Sequence, residues 1–538
     1  MIEYLRKNKW PYIIAIIQWI ICMALHIDKL FFEYDRINGM QIIVKALYLL
    51  TLIFLWLLLF RVLKEIKAGN REFQWGLSYF TIYFIILMSF MVVIWPGTWF
   101  WDDLITLQAI SGYHLDVWHH VLTGIYQAVL LQLLPFPAGL IILQNLIVSI
   151  CVARLIVIIE KSFLLKRSKN LFLILFKLFP FLLPPVLAYQ FSGFRLGIYS
   201  YLELLFLVEM ISAIKSKRKW GIRFMLYVCT LSVLTAAWRT ESALYIPVVC
   251  AIIWFMDEAM IVKKQKVTSI LMILFGFTIL FTWQKIELND NDYVLISFIN
   301  PCTELVRMSD PKIDQLELEK IGKIVNLQMV HQNPRKTGEM MFFTDKFIKE
   351  GYSKKEYKGF LEALLSLCLK YPKVFWTERW NTFLRSVELA EKTKTNLYDA
   401  FDEFNKNEMM AQVKDKNWFA FKPIFLEQRR RLIYFWRGKN SKGVNTTTIM
   451  RLEWNAVIPI LLLCYGWIKL LKRKKYMLFI FISAFMIKIP IIFLMEPEGY
   501  MLYFLSFYLT GYVYGCFFAL LLWEIHSKKV KSISNLYT

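Results

Sequence analysis

The chain has 538 residues, of which 57% are hydrophobic and 17% aromatic, and its mean hydropathy is positive. That composition excludes an ordinary soluble globular protein and makes the chain a polytopic membrane protein. A formal net charge of +23 would suggest nucleic acid in a soluble chain, but membrane proteins gather Lys and Arg in cytoplasmic loops, so topology has the first claim on that charge.

A helix crossing the hydrocarbon core needs about 20 apolar residues. Taken in chain order, apolar runs predict spans at 10–27, 41–62, 77–95, 137–159, 171–189, 196–213, 222–238, 241–256, 269–284, 454–471, 476–495 and 500–523, about twelve in all. The first run follows MIEYLRKNKW and resembles a signal peptide. It has no small-residue cleavage site and reads as a retained first helix. The apolar segment Val121 to Leu134, stopped by Pro135 and Pro137, reads as a helix lying at the outer interface, because crossing there would flip every later basic cluster.

With that count, seven basic clusters share one side: Arg6/Lys7/Lys9, Arg61 to Arg71, Lys161 to Lys169, Lys215 to Lys219, Lys263 to Lys266, Lys472 to Lys475 and Lys528 to Lys531. The positive-inside rule makes that side the cytoplasm, with both termini inside a multi-pass cytoplasmic membrane protein. The expected fold is therefore an all-α polytopic membrane protein with about 12 transmembrane helices, an interfacial helix and an extracytoplasmic, mainly helical domain. The expected layout is 1–284 with an outer loop at 96–136, a soluble domain at 285–453, and 454–538 with a short cytoplasmic tail. The 285–453 segment is too long for a loop and carries apolar residues at helical spacing in 360–369 and 374–384. It holds only a small part of the net charge, so nucleic acid is not an expected partner.

Six of the eight cysteines fall in apolar runs, and no spacing suggests a metal site. Cys302 and Cys368 share the polar segment, where a disulfide is one option that spacing alone does not decide.

Five polar elements fall on the outer side, as a site built at helix ends would require. The first is Trp95 to Gln108, WPGTWFWDDLITLQ, with adjacent carboxylates Asp102 and Asp103 beside Trp99 and Trp101. Charge at membrane depth costs about 3 kcal/mol or more unless it meets water, a partner or a substrate. One Asp would suffice to cap the helix that follows; a pair suggests a catalytic base and a helper or metal contact at Asp103, with Mg or Mn as the candidate ion. His119 and His120 follow Trp118. Interfacial polarity, contact with a phosphate or a role beside the aspartates would each explain them, whereas adjacent His residues on a helix diverge too far for both to bind one metal. Arg195 follows Gly193. Arg239 and Glu241 either pair with each other or offer a phosphate clamp and a second acid. Glu496 to Tyr500 forms a polar turn before the last span, and Arg429, Arg430 and Arg431 read as a solvated face of the soluble domain.

Walker A, Gly-rich dinucleotide, HExxH and GxSxG motifs are absent, so the sequence offers no nucleotide engine. The order of Pro96-Gly97, Asp102-Asp103, Trp118-His119-His120, Arg239-Thr240-Glu241 and Glu496 to Tyr500 resembles the GT-C superfamily of integral membrane glycosyltransferases. The nearer likeness is to bacterial proteins distantly similar to protein O-mannosyltransferase and aminoarabinose-transferase type enzymes. That resemblance implies a polyprenyl-phosphate-linked sugar donor and a cell-surface glycan or lipid acceptor at the outer face. It implies Asp102 as base, Asp103 as helper or metal contact, and His119, His120, Arg195, Arg239, Glu241 and Tyr500 as substrate contacts. The family usually presents an Arg-Tyr pair at its final outer turn, and here Gly499 precedes Tyr500. Flippases, exporters and polymerases of lipid-linked polysaccharide share the substrate class. Lys45, Lys177, Pro184-Pro185 and Lys488, which lie in apolar runs, would suit a transporter, but no paired pattern links the two halves of the sequence.

Overall fold

The computed structural model describes residues 9–116, 119–163, 165, 167, 170–288, 295–390, 423–436, 438 and 447–537. Among them the chain is all α, with a single isolated bridge between Val325 and Ile348. Eight helices are long and apolar enough to cross a membrane: Gly39–Lys67, Arg71–Ile94, Pro137–Phe163, Arg195–Ser216, Lys263–Leu288, Arg451–Lys472, Tyr476–Met495 and Met501–Ser527. A ninth is reached if Leu171–Leu182 and Pro184–Gln190, bent by 65°, form one broken span. The expected twelve differ from these by Trp10–Ala24, Ile222–Trp238 and Thr240–Phe255, apolar helices too short to meet the same test. Val121–Leu133 is a fourth short apolar helix, as its bounding prolines predict.

Local chemistry sets the helix ends. Asn38 accepts from the N–H of Gln41, and Asn70 from those of Glu72 and Phe73, so each caps a long helix. Lys64 and Lys67 occupy the last turn of Gly39–Lys67, where cations meet the negative end of the helix dipole.

The chain divides into two compact units, 1–287 with 396–485 and 505–538, and 288–395 with 486–504. This departs from the expected 285–453 domain at both ends. The helix Leu426–Trp436 belongs with the first unit, and the turn 496–500 with the second; residues 391–422 lie outside the description.

In the first unit, charges within apolar helices are paired. Lys177 Nζ lies 2.6 Å from Glu160, which also accepts from Tyr79 at 2.6 Å; Lys45 lies 3.1 Å from Asp28, and Arg154 2.8 Å from Glu209. Pairing is how such charges are tolerated out of water, so Lys45 and Lys177 have structural partners. The helices Val457–Lys472 and Leu505–Tyr537 approach so closely that a Cβ on Gly511 would meet the Pro459 carbonyl oxygen at 2.4 Å.

In the second unit, Lys354–Lys370 and Pro372–Ser386 are joined by the single residue Tyr371 into a helical hairpin. Ser353 and Glu356 make a capping box at its start, and Pro372 opens the second helix. Asp314 pins the tip, accepting from Tyr371 at 2.6 Å and pairing with Lys370. The fully buried Arg379 donates to the carbonyl of Glu496 at 2.9 Å, and Ser386 to the Glu496 carboxylate at 2.9 Å, fixing the 496–500 turn against the hairpin. Cys302 and Cys368 are both free thiols.

Candidate active site

The site begins where Arg71–Ile94 stops. Gly97 has φ +112°, which favours glycine, and a Cβ there would sit 3.1 Å from the Phe191 carbonyl oxygen. Thr98 N–H donates to that same oxygen at 2.8 Å, joining the 95–100 loop to the 191–194 turn. Arg429 closes the other side. Expected on a solvated face, it is fully buried and donates to the carbonyls of Ile94 at 3.2 Å and Gly97 at 3.0 Å. Arg430 and Arg431 are the solvated members of that run, with Arg431 3.7 Å from Glu427 one turn earlier.

The two aspartates have different roles. The helix Trp101–Ser111 starts after Phe100, and Asp103, in its first turn, accepts the Phe100 N–H at 3.0 Å. Burial pushes the Asp103 carboxyl well above the usual carboxylate range, opposed by backbone N–H groups of Phe100 and Gly193. Asp103 thus makes the N3 half of this helix's capping box, the alternative to the catalytic helper or metal contact expected of it. Asp102 keeps half its side chain exposed, at 51%, and its Oδ2 lies 3.6 Å from His119 Nε2.

His119 is held from behind as well. Its Nδ1 pairs with Asp116, whose side chain is 4% exposed and also accepts from Thr106 at 3.3 Å. Burial would discharge the ring, but the carboxylates of Asp102 and Asp116 outweigh it and raise His119 to about 9. At neutral pH it is an imidazolium between two carboxylates. His120 differs: it caps Val121–Leu133, its Nδ1 accepting the Leu122 N–H at 3.2 Å, and burial with nearby Arg195 lowers it to about 3. It is a neutral capping residue. Trp118 lies outside the described residues.

Arg195 opens Arg195–Ser216 after a turn fixed by Gln127, which donates to Gly193 O at 2.8 Å, and Gln144, which donates to the carbonyls of Gln190 and Ser192. It is close enough to influence both His119 and His120, and its buried Nε has no hydrogen-bond partner among the described residues. A cation in the first turn opposes the helix dipole, so an anion would relieve two costs together. Phe194 lies edge-on to His119 with centroids 6.5 Å apart, and Phe100 stacks on Tyr189 at 5.6 Å, giving the site an apolar wall.

Arg239 pairs with Glu241, the first of the two readings open for them, and Trp238 donates to Thr123 at 3.0 Å, tying that turn to Val121–Leu133. Tyr500 belongs to the second unit, where its N–H donates to Glu498 O at 3.0 Å. The structure therefore brings Asp102, Asp103, His119, His120 and Arg195 together and adds Asp116 and Thr106. The Asp116–His119 spacing of three residues was the available signal.

A divalent ion fits these residues poorly. Asp103 is spent on backbone N–H groups, and Asp102 and Asp116 both face a charged ring that an ion would have to displace. Among the described residues no three His, Cys, Asp or Glu side chains are placed to share a metal. The chain matches no family model, no curated protein and no solved structure.

Proposed function

We propose that this chain is a membrane glycosyltransferase of GT-C type, moving a sugar from a polyprenyl-phosphate-linked donor to a glycan or lipid acceptor at the outer face of the cytoplasmic membrane. The observation that carries the reading is the juxtaposition of a half-exposed carboxylate, Asp102, held by a buried Asp116–His119 pair, with the nearby guanidinium of Arg195. Counting the bent pair and the three short apolar helices as spans gives twelve, and then the basic clusters share the cytoplasmic side with both termini.

In this mechanism an acceptor hydroxyl attacks the anomeric carbon while Asp102 takes its proton. The bond from that carbon to the phosphate oxygen breaks, and its electron pair leaves with the polyprenyl phosphate. His119 orients Asp102; its own charge makes it a poor base. Arg195 neutralises the leaving phosphate bidentately, the task first assigned to Arg239, which is engaged with Glu241. Phe194 and Phe100 shed water from the anomeric centre.

The test compares surface glycans of cells lacking the gene with cells carrying Asp102→Asn at normal protein level. The proposal expects the same missing sugar or branch in both. A normal glycan in the Asp102→Asn cells, with an altered one in the deletion, removes this carboxylate from the mechanism and favours transport.

A further inference from the structure

The second unit, expected to stand in water, leaves large apolar side chains exposed, four of them flanking the turn of its helical hairpin. Leu365 and Leu369, one turn apart on Lys354–Lys370, are 62% and 75% exposed, whereas the opposite end of that helix begins with Lys354 and Lys355. Across the Tyr371 turn, Trp376 and Trp380, again one turn apart, are 52% and 53% exposed. Side chains of this size left in water on adjoining helices form a patch that monomeric soluble surfaces rarely carry.

The neighbours of the tryptophans indicate what covers the patch. Trp376 stacks on Phe493 with centroids 6.2 Å apart, and Trp380 meets the same ring edge-on at 6.3 Å. Phe493 is two residues from the end of Tyr476–Met495, a helix apolar enough to cross a membrane. The exposed Leu494 and Met495 continue the patch onto that helix. A residue that near the end of a span sits at headgroup depth, where Trp is enriched because its ring is amphipathic. The exposed Lys373 lies between the leucines and the tryptophans, placed to reach lipid phosphates while its stem lies along apolar surface.

We infer that the tip of this hairpin is seated in the bilayer surface, with Leu365, Leu369, Trp376 and Trp380 among lipid headgroups and upper acyl chains. The helices either side of Tyr371 are then held at a fixed height at the membrane surface, and the partner they fit is lipid. The inference stands on its own geometry and does not depend on the glycosyltransferase reading.

The test places a nitroxide, carried on an encoded ketone amino acid, at position 365, 369 or 355 of the full chain in phosphatidylcholine and phosphatidylglycerol liposomes. Collision with oxygen, which concentrates in lipid, is compared with collision with a water-soluble nickel chelate. Position 355 lies ~20 Å along the helix from 369. The expected result is an oxygen-to-nickel ratio several-fold higher at 365 and 369 than at 355. Equal ratios place the tip in water, and a label immobilised and shielded from both reagents shows that protein covers it; either overturns the inference. Because a bulky label can disturb the tip, a benzophenone side chain at 369 is photolysed in native membranes as a second readout. Lipid adducts are expected, and adducts to protein alone, or none, overturn the inference.

Discussion

Asp102 Oδ2 lies 3.6 Å from Nε2 of His119, whose other ring nitrogen is taken by the buried Asp116. One imidazolium thus serves two carboxylates of opposite exposure, 51% and 4%. The buried one anchors the ring, and the exposed one is left facing any molecule that enters. In the proposed mechanism this asymmetry would make Asp102 the reacting group and His119 and Asp116 positioning residues.

The first prediction separates the adjacent aspartates. Asp102→Asn should lower turnover by roughly 10²- to 10⁴-fold, the range for loss of a general base. Asp103→Asn keeps an oxygen for the Phe100 N–H and should leave turnover within about tenfold, since the native carboxyl is already driven toward its neutral form by burial. Initial rates of the two variants at matched protein level check this. Equal losses would contradict the division.

A pH dependence follows from His119. Its folded value of about 9 exceeds the ordinary 6.5, so the pairing stabilises the fold fully below pH 6.5 and that contribution is lost as pH rises through about 9. In Asp116→Asn much of this slope should vanish. Melting temperature in detergent from pH 6 to 10, taken as the difference between wild type and variant, reads it directly.

The Glu496 carboxyl behaves likewise. Burial raises it to about 8 from the ordinary 4.5, against the pull of Ser386 and Arg379. Its contribution is therefore complete below pH 4.5 and is lost as pH rises through about 8. Glu496→Gln should flatten that window without cost at neutral pH, where an uncharged side chain is preferred. Protease resistance of the hairpin as a function of pH is the readout.

Arg429 should matter through the backbone carbonyls it holds. Arg429→Ala removes the donor to the Gly97 carbonyl and, among the described residues, one of two donors to the Ile94 carbonyl, at a cost of roughly 1–3 kcal/mol, and should loosen the loop before Asp102. The melting temperature should fall and turnover should fall with it. Arg431→Ala, on the exposed face, should change neither.

Arg195→Gln should raise the KM for the lipid donor and weaken binding of polyprenyl phosphate, while Arg239→Gln should act mainly through stability because it breaks the pair with Glu241. Native mass spectrometry of the lipid complex distinguishes them.

Much of the membrane character was legible because apolar length is a strong signal. The prolines at 135 and 137 ended Val121–Leu133 as they should, and the eight long helices coincide with predicted runs. What escaped was tertiary. Asp116 stands three residues before His119, but nothing local reveals that Thr106 joins them. Arg429 sat in a basic run whose neighbours are solvated, and only the fold turns it inward. His120 resembled its neighbour in type but is spent on a helix cap, a backbone role that depends on where Val121–Leu133 begins.

The most direct measurement is the release of free polyprenyl phosphate in proteoliposomes holding the purified chain, lipid-linked sugars extracted from its own cells and an acceptor fraction from their envelope. The account predicts release by the wild-type chain, with the sugar appearing in the acceptor, and a rate at least about 100-fold lower with Asp102→Asn. Release at equal rates by both, or movement of intact lipid-linked sugar across the bilayer without any release, would contradict it.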